Sequence, residues 1–145
     1  MPLVESSIEI AAPARTVYEL AKEQERFPEF MPDVESVTVL ERHPDHIVTK
    51  WKTLVEEAPI EWVEIDRFDD AAGRIDYQLT EGDLDKFEGA WTFTENGGVT
   101  KVVLTVDYDF GVPVLAELIG PTLQRKVMEN SEMMLAALKR EAEKA

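Results

Sequence analysis

The spacing of apolar and polar residues predicts a strand followed by two short helical segments at the start of the chain. Residues 4–10 alternate between the two classes, which is the period of a strand with one buried face. Pro13 suits a first helical turn, and apolar residues follow it at helical spacing, beginning with Val17 and Leu20. Pro28 and Pro32 limit a second helical segment to about one turn.

From residue 34 to residue 110 the pattern is that of successive strands. Turn-forming clusters separate these strands at 43–46, 57–59, 69–73, 81–83 and 95–98. These strands, together with the first one, predict an antiparallel meander of about seven strands. In residues 87–93 and 102–110 the alternate positions of one parity, which point to the same face of a strand, are strongly apolar. We therefore expect the sheet to bury one face.

The C-terminal part of the chain has the pattern of a long amphipathic helix. We expect a turn or two from Pro113, a kink at Gly120-Pro121, and then a longer helix of roughly 30 Å. One helix laid across a strongly curved sheet leaves a cleft beneath it. The predicted fold class is therefore α+β, with an internal cavity between the sheet and the last helix.

Size and composition favour one domain over residues 1–145. The chain is 44% apolar and 31% charged, which suits a folded protein with a sizeable core. Cysteine is absent, so disulfides, thiolate chemistry and cysteine-ligated metals do not contribute.

The charge of the chain limits its possible partners. Thirty acidic and 15 basic residues give a formal net charge of −15, which repels phosphate backbones and anionic headgroups. Nucleic acid is therefore a poor candidate. No leader pattern or apolar stretch of membrane-spanning length is visible, so we expect a cytoplasmic protein without stable membrane insertion. The sequence shows no heptad pattern that would support a homodimer, so a monomer and a homodimer both stay open.

Candidate ligand-binding residues are the aromatic, apolar and small polar side chains on the expected inner faces. They are Phe30 and Met31 at the mouth, and Trp51, Trp62, Tyr77, Phe87, Trp91, Phe110, Leu123, Val127 and Ser131 further in. Any one of these aromatics could equally pack a dry core, and Ser131 could bond back to its own helix. Trp51 shares its parity with Thr49 and Thr53, which indicates a roomy, partly polar wall.

Glu64 and Tyr77 are the candidate catalytic residues if the protein is an enzyme. Glu64 shares its parity with Trp62, but Val63 and Ile65 are apolar on the opposite parity, so the inward face of this strand is ambiguous. If Glu64 points inward, its pKa should rise and it becomes a candidate acid or base; if outward, it is a surface carboxylate. A buried Tyr77 hydroxyl needs either a protein partner or a ligand oxygen.

No motif points to a metal, a cofactor or a particular reaction. His43 and His46 flank Pro44-Asp45 in an expected turn, but no third metal ligand is indicated. The chain contains no G-x-S-x-G, no phosphate-binding glycine loop and no dinucleotide fingerprint. We therefore predict neither a metal site nor a cofactor.

Three stretches together resemble the START-like, helix-grip superfamily, and within it the polyketide cyclase/dehydrase and lipid-transport group, nearest the coenzyme-Q-binding branch. They are APARTVYELAKEQERFPEFMPDV (12–34), FEGAWTFTENGGVTKVVLTVDYDF (87–110) and the final helix with the apolar segment 114–119 before it. The resemblance implies a curved antiparallel sheet wrapped on a long C-terminal helix. It also implies a deep cavity for a lipid, quinone or polyketide-like ring system.

These observations leave three functions open. The first is binding or transport of a small hydrophobic ligand, driven by the burial of apolar surface. The second is a polyketide aromatase/cyclase-like enzyme, because members of the group range from carriers to cyclases and fold alone does not assign a reaction. The third is an acidic protein-interaction module.

Overall fold

The computed structural model describes the backbone of residues 3–31, 34–55, 58–82, 85–109 and 113–144, and the side chains of these residues except 54, 55, 58, 59 and 113–123. The strands are β1 (Leu3–Ile10), β2 (Val34–Arg42), β3 (His46–Val55), β4 (Ala58–Asp69), β5 (Arg74–Gly82), β6 (Lys86–Asn96) and β7 (Val99–Asp109). The helices are α1 (Ala14–Lys22), a 3-10 turn (Gln24–Arg26), α2 (Phe27–Phe30) and α3 (Pro113–Glu143). The predicted α+β helix-grip architecture is confirmed.

The strands form one antiparallel sheet of seven strands in the order β1-β7-β6-β5-β4-β3-β2. Strands that follow each other from β2 to β7 are neighbours in this order, so the predicted meander is also confirmed. At the turn between β6 and β7, Gly97 and Gly98 have φ of 64° and 85°. Two successive positive φ angles are the geometry of a tight hairpin, which explains why two glycines follow Asn96.

The short helices connect the two edges of the sheet. Because β1 and β2 lie at opposite edges, the segment from α1 to α2 must pass from one edge to the other. α1 buries an apolar face that includes Val17, Leu20 and Ala21, and it contacts β6, β7 and α3. The segment thereby joins the sheet to the long helix.

α3 runs as one helix from Pro113 to Glu143, about 46 Å at the standard helical rise. The helix continues through Gly120-Pro121, and the kink expected there stays a prediction. A proline removes a single backbone hydrogen bond from a helix, and the turns on either side keep theirs. The C-terminal end of α3 is anchored on β1, because Lys139 Nζ donates to the Glu9 carbonyl at 2.8 Å.

The buried residues form two clusters on the inner side of the sheet. The first joins β1, α1 and β5–β7 to Leu135 and Leu138 of α3. The second joins α2 and β2–β4 to Ala137. Phe87 and Met134 pack against both clusters. The space between the clusters, beneath α3, is where a cavity remains.

Candidate functional site

A cavity lies between the inner face of the sheet and α3. The space open to the centre of a water-sized sphere in this cavity is about 80 Å³. The lining is mainly apolar and consists of Trp51, Thr53, Trp62, Glu64, Tyr77, Phe87, Trp91, Leu104, Val106, Lys126, Val127, Asn130, Ser131 and Met134. A mainly apolar recess with a few polar groups is the usual form of a small-molecule site.

One wall of the cavity is a pair of stacked indoles. Trp51 and Trp62 are directly opposite each other in the β3/β4 ladder, with ring centroids 5.7 Å apart and planes 7° apart. The Phe87 ring lies 5.0 Å from that of Trp62 and 5.6 Å from that of Tyr77. These contacts extend the aromatic wall from β3 to β6, and such a wall offers ring faces to a flat ligand.

The structure brings seven of the residues proposed from the sequence into this cavity: Trp51, Trp62, Tyr77, Phe87, Trp91, Val127 and Ser131. Alternation along each strand and helical spacing along α3 place them together. Phe110 and the side chain of Leu123 lie outside the described residues.

Phe30 and Met31 lie elsewhere than at the expected mouth. Met31 is fully buried and packs with Phe27, Trp51 and Trp62 in the second core cluster. Phe30 is partly buried against both clusters, and neither residue is among those that line the cavity. Pro28 permits one helical turn, and Met31, which follows that turn, is directed into the core.

Glu64 points inward, which settles the ambiguity in its strand. It is 3% exposed and lines the cavity, and Trp62 Nε1 donates to Glu64 Oε1 at 2.7 Å. Val63 and Ile65 lie on the other face, where both are half-buried. A register shift between Val63 and Glu64 in the ladder with β5 marks this position as irregular.

Asp66, a residue that sequence reasoning missed, is also buried on the inner face, next to Glu64. It is 0% exposed, and its oxygens accept hydrogen bonds from Gln24 Nε2 at 3.0 Å and Thr49 Oγ1 at 3.2 Å. Trp51 Nε1 in turn donates to Thr49 Oγ1 at 2.9 Å. Residues 62, 64 and 66 point to the same face, which is the available signal, but carboxylates are rarely buried and the opposite face carries Val63 and Ile65, so the sequence alone leaves the inward face ambiguous.

The two carboxyl groups are electrostatically linked. Burial raises the pKa of Glu64 well above its ordinary value, and the neighbouring Asp66 raises it further against the effect of the Trp62 hydrogen bond. Burial also raises the pKa of Asp66, while hydrogen bonds from Glu64, Gln24 and Thr49 lower it. Two adjacent buried carboxyls favour a state in which they share a proton.

The Tyr77 hydroxyl has a protein partner. It donates to the backbone carbonyl of Thr105 at 2.6 Å, and burial raises the pKa of Tyr77 well above its ordinary value. A phenol whose single proton is already donated is a poor proton donor to a ligand. Tyr77 therefore forms part of the wall more readily than it performs acid–base chemistry.

The helix side of the cavity is more polar than the sheet side. Lys126, Asn130 and Ser131 belong to it, alongside Val127 and Met134. Lys126 Nζ lies 3.7 Å from Glu129, and its side chain is 28% exposed. Lys126 therefore brings a cationic side chain, with Glu129 beside it, to the helical side of the cavity.

The histidines lie in a different part of the molecule. His43 and His46 stack in the turn between β2 and β3 with ring centroids 4.4 Å apart. Each contacts an acidic neighbour, Glu41 at 3.1 Å and Asp45 at 2.7 Å respectively. Within the described parts of the chain, no three potential metal-ligating side chains come together.

Among the same residues, no helix has the length and hydropathy needed to cross a membrane.

The fold is a curved antiparallel sheet that grips a long helix, with an internal recess between the two. A family model described as polyketide cyclase/dehydrase and lipid transport matches residues 10–135. The chain therefore belongs to this family.

Individual relatives agree with this assignment. The chain is 31% identical over 129 residues to the actinorhodin polyketide synthase bifunctional cyclase/dehydratase of Streptomyces coelicolor, a match that covers 88% of the chain and 40% of the relative. The crystal structure of TTHA0849 from Thermus thermophilus is 32% identical, with a TM-score of 0.94 over 97% of each chain. The crystal structure of the Zhui aromatase/cyclase from Streptomyces sp. R1128 is 25% identical, with a TM-score of 0.89 over 98% of this chain and 93% of the Zhui chain.

Proposed function

We propose that the protein binds a small, largely apolar molecule with a ring system in the cavity beneath α3. The observation that carries this proposal is the recess itself, with its stacked wall of Trp51 and Trp62 and its few polar groups. Burial of apolar ligand surface contributes about 25 cal/mol per Å², so even a bicyclic ligand gains a useful driving force there. The role is that of a carrier or sensor of such a molecule.

Tryptophan fluorescence provides a direct test, because all 3 tryptophans of the chain line the cavity. Titration with an uncharged bicyclic compound such as 2-methylnaphthalene should change the emission in a saturable and competable manner. Native mass spectrometry of the purified protein, with mass analysis of an organic extract, should identify the class of a co-purified compound. Failure of every uncharged ring compound to bind would refute the proposal.

A second candidate function is that of a cyclase/dehydratase, and the buried pair of Glu64 and Asp66 favours it. Dehydration of a β-hydroxy ketone breaks a C–H bond and a C–O bond and releases water, so it needs a proton acceptor and a proton donor. A carboxyl pair that shares a proton beside an apolar cavity can supply both roles. The cyclase/dehydratase name of the Streptomyces coelicolor relative supports this candidate, although the chain spans only 40% of that protein.

Turnover of a polyketide-like β-hydroxy ketone separates the two candidates. Under the enzymatic hypothesis, Glu64→Gln should abolish dehydration, while Tyr77→Phe should retain most of it because the Tyr77 proton is already donated to Thr105. Equal turnover by the wild-type protein and Glu64→Gln would exclude Glu64 as the catalytic group.

The third function considered from the sequence, an acidic protein-interaction module, stays a prediction.

A further inference from the structure

We propose that the cavity selects neutral ring compounds that carry a hydroxyl group, and that this hydroxyl donates a hydrogen bond to Glu64. The inference rests on the proposed binding function, because it specifies the ligand class of the same cavity. It follows from the directions of the hydrogen bonds around the buried carboxyls.

The direction of each bond is set by groups that can only donate. The Trp51 indole N–H donates to Thr49 Oγ1, so the Thr49 hydroxyl hydrogen is free to point at Asp66 Oδ1. The amide nitrogen of Gln24 donates to Asp66 Oδ2. Both Asp66 oxygens therefore accept hydrogen bonds from neutral donors. Glu64 in turn accepts a hydrogen bond from the Trp62 indole N–H, so both carboxyl groups act as acceptors toward these partners.

This arrangement leaves Glu64 as an acceptor toward the cavity. Its side chain lines the cavity, and Oε1 accepts the Trp62 indole N–H at 2.7 Å. A carbonyl oxygen has two lone pairs, so Oε1 can accept a second hydrogen bond from a molecule in the cavity. A ligand hydroxyl meets this requirement, whereas a ligand ketone has no proton to donate.

The charge of the pair disfavours acidic ligands. The partners of Glu64 and Asp66 among the described residues are the neutral donors Trp62, Gln24 and Thr49. Lys126, which lines the cavity from α3, lies beside Glu129, and Tyr77 is neutral. A ligand carboxylate placed against Glu64 therefore meets a hydrogen-bond acceptor instead of a donor, and ionisation of either carboxyl group repels it.

Three probes of equal ring size test the inference on the wild-type protein at neutral pH by equilibrium dialysis. We expect 2-naphthol to bind about two- to tenfold more tightly than 2-methylnaphthalene, which is the range of one neutral hydrogen bond. We expect 2-naphthoate to bind more weakly than both. If none of the three binds, the proposed function itself fails. If the two uncharged probes bind equally, or naphthoate binds best, the binding function stands and the inference is refuted.

Variants then locate the effect. Glu64→Met keeps the length of the side chain but removes the acceptor, so the preference for 2-naphthol should disappear; its persistence would overturn the role of Glu64. Asp66→Asn removes one of the two buried carboxyl groups and should improve 2-naphthoate binding, and an unchanged affinity would overturn the electrostatic argument. Glu81→Gln, which neutralises an exposed carboxylate of β5, is the matched control and should leave the affinities for all three probes unchanged. Near-UV circular dichroism checks the fold of each variant, and the wild-type series decides the question if a variant does not fold.

Discussion

Tyr77 and Gly89 face each other across the β5/β6 ladder, and the Tyr77 hydroxyl occupies the space that a side chain at position 89 would need. A Cβ at Gly89 would lie 2.8 Å from that hydroxyl oxygen and 1.9 Å from the Thr105 carbonyl oxygen. The glycine therefore lets β7 approach closely enough for Thr105 to accept the Tyr77 hydrogen bond. This contact holds the phenol ring against the cavity wall.

Gly89→Ala should destabilise the protein severely. The new methyl group collides with backbone, which cannot rotate away, so we expect a loss of more than about 3 kcal/mol in the free energy of unfolding by urea denaturation. Gly97→Ala is the matched control, because a Cβ there meets nothing within 4 Å and only its φ of 64° is unfavourable. Its cost should be about 1 kcal/mol. Similar costs for the two variants would contradict the close approach at Gly89.

The stability of the protein should fall as the pH rises above the ordinary range of a carboxyl group. Because the folded pKa of Glu64 is raised, its contribution is fully present below the unfolded pKa of about 4 and is lost as the pH rises through the folded value. The stability of the wild-type protein relative to Glu64→Gln should therefore decrease with rising pH. Urea denaturation of both proteins across a pH series measures this difference.

An exposed carboxylate provides the control for this pH dependence. The stability curve of Glu81→Gln should run parallel to that of the wild-type protein, since position 81 is exposed. A constant difference between the wild-type protein and Glu64→Gln at all pH values would show that Glu64 titrates in the folded state as it does in the unfolded chain.

Gln24 should stabilise the ionised form of Asp66. Gln24→Met removes the donor to Asp66 Oδ2 and leaves a buried carboxyl with one fewer partner, which costs about 1–3 kcal/mol. That hydrogen bond lowers the pKa of Asp66, so the cost should be larger at high pH, where Asp66 is ionised, than at low pH. Gln78→Met introduces the same residue at an exposed position and should change stability little. A pH-independent cost at Gln24 would indicate lost packing instead of a lost donor.

Ser131→Leu should close the cavity without unfolding the protein. Ser131 is buried and lines the recess, so a larger apolar side chain there occupies ligand space while adding apolar contacts. We expect 2-methylnaphthalene to bind at least about tenfold more weakly, a loss of roughly 1.4 kcal/mol or more, in a tryptophan fluorescence titration. Glu132→Leu introduces the same side chain at the next, exposed position and should bind like the wild-type protein. Equal binding by the two variants would place the ligand outside this cavity.

The sequence was sufficient to predict the strands because their signals are local. Alternation in 102–108 and the turn residues Asn96-Gly97-Gly98 depend on neighbouring residues alone, and both appear in β6 and β7 as expected. The same reasoning brought Trp51, Trp91 and Val127 to the cavity. At Gly120-Pro121 the helix continues, and the kink expected from the local signal stays a prediction.

The sequence by itself determined which elements form and which faces of β6 and β7 are buried, because in those strands a single parity is apolar. It could not determine the orientation of β4, where Trp62 on one parity competes with Val63 and Ile65 on the other. The tertiary structure decided that orientation through long-range contacts, since Trp62 stacks on Trp51 and Asp66 finds donors on β3 and beside α1. Burial of Glu64 and Asp66 is favourable only with hydrogen-bond partners in place. The sequence contains those partners but does not show that they lie next to the two carboxyl groups in the folded protein.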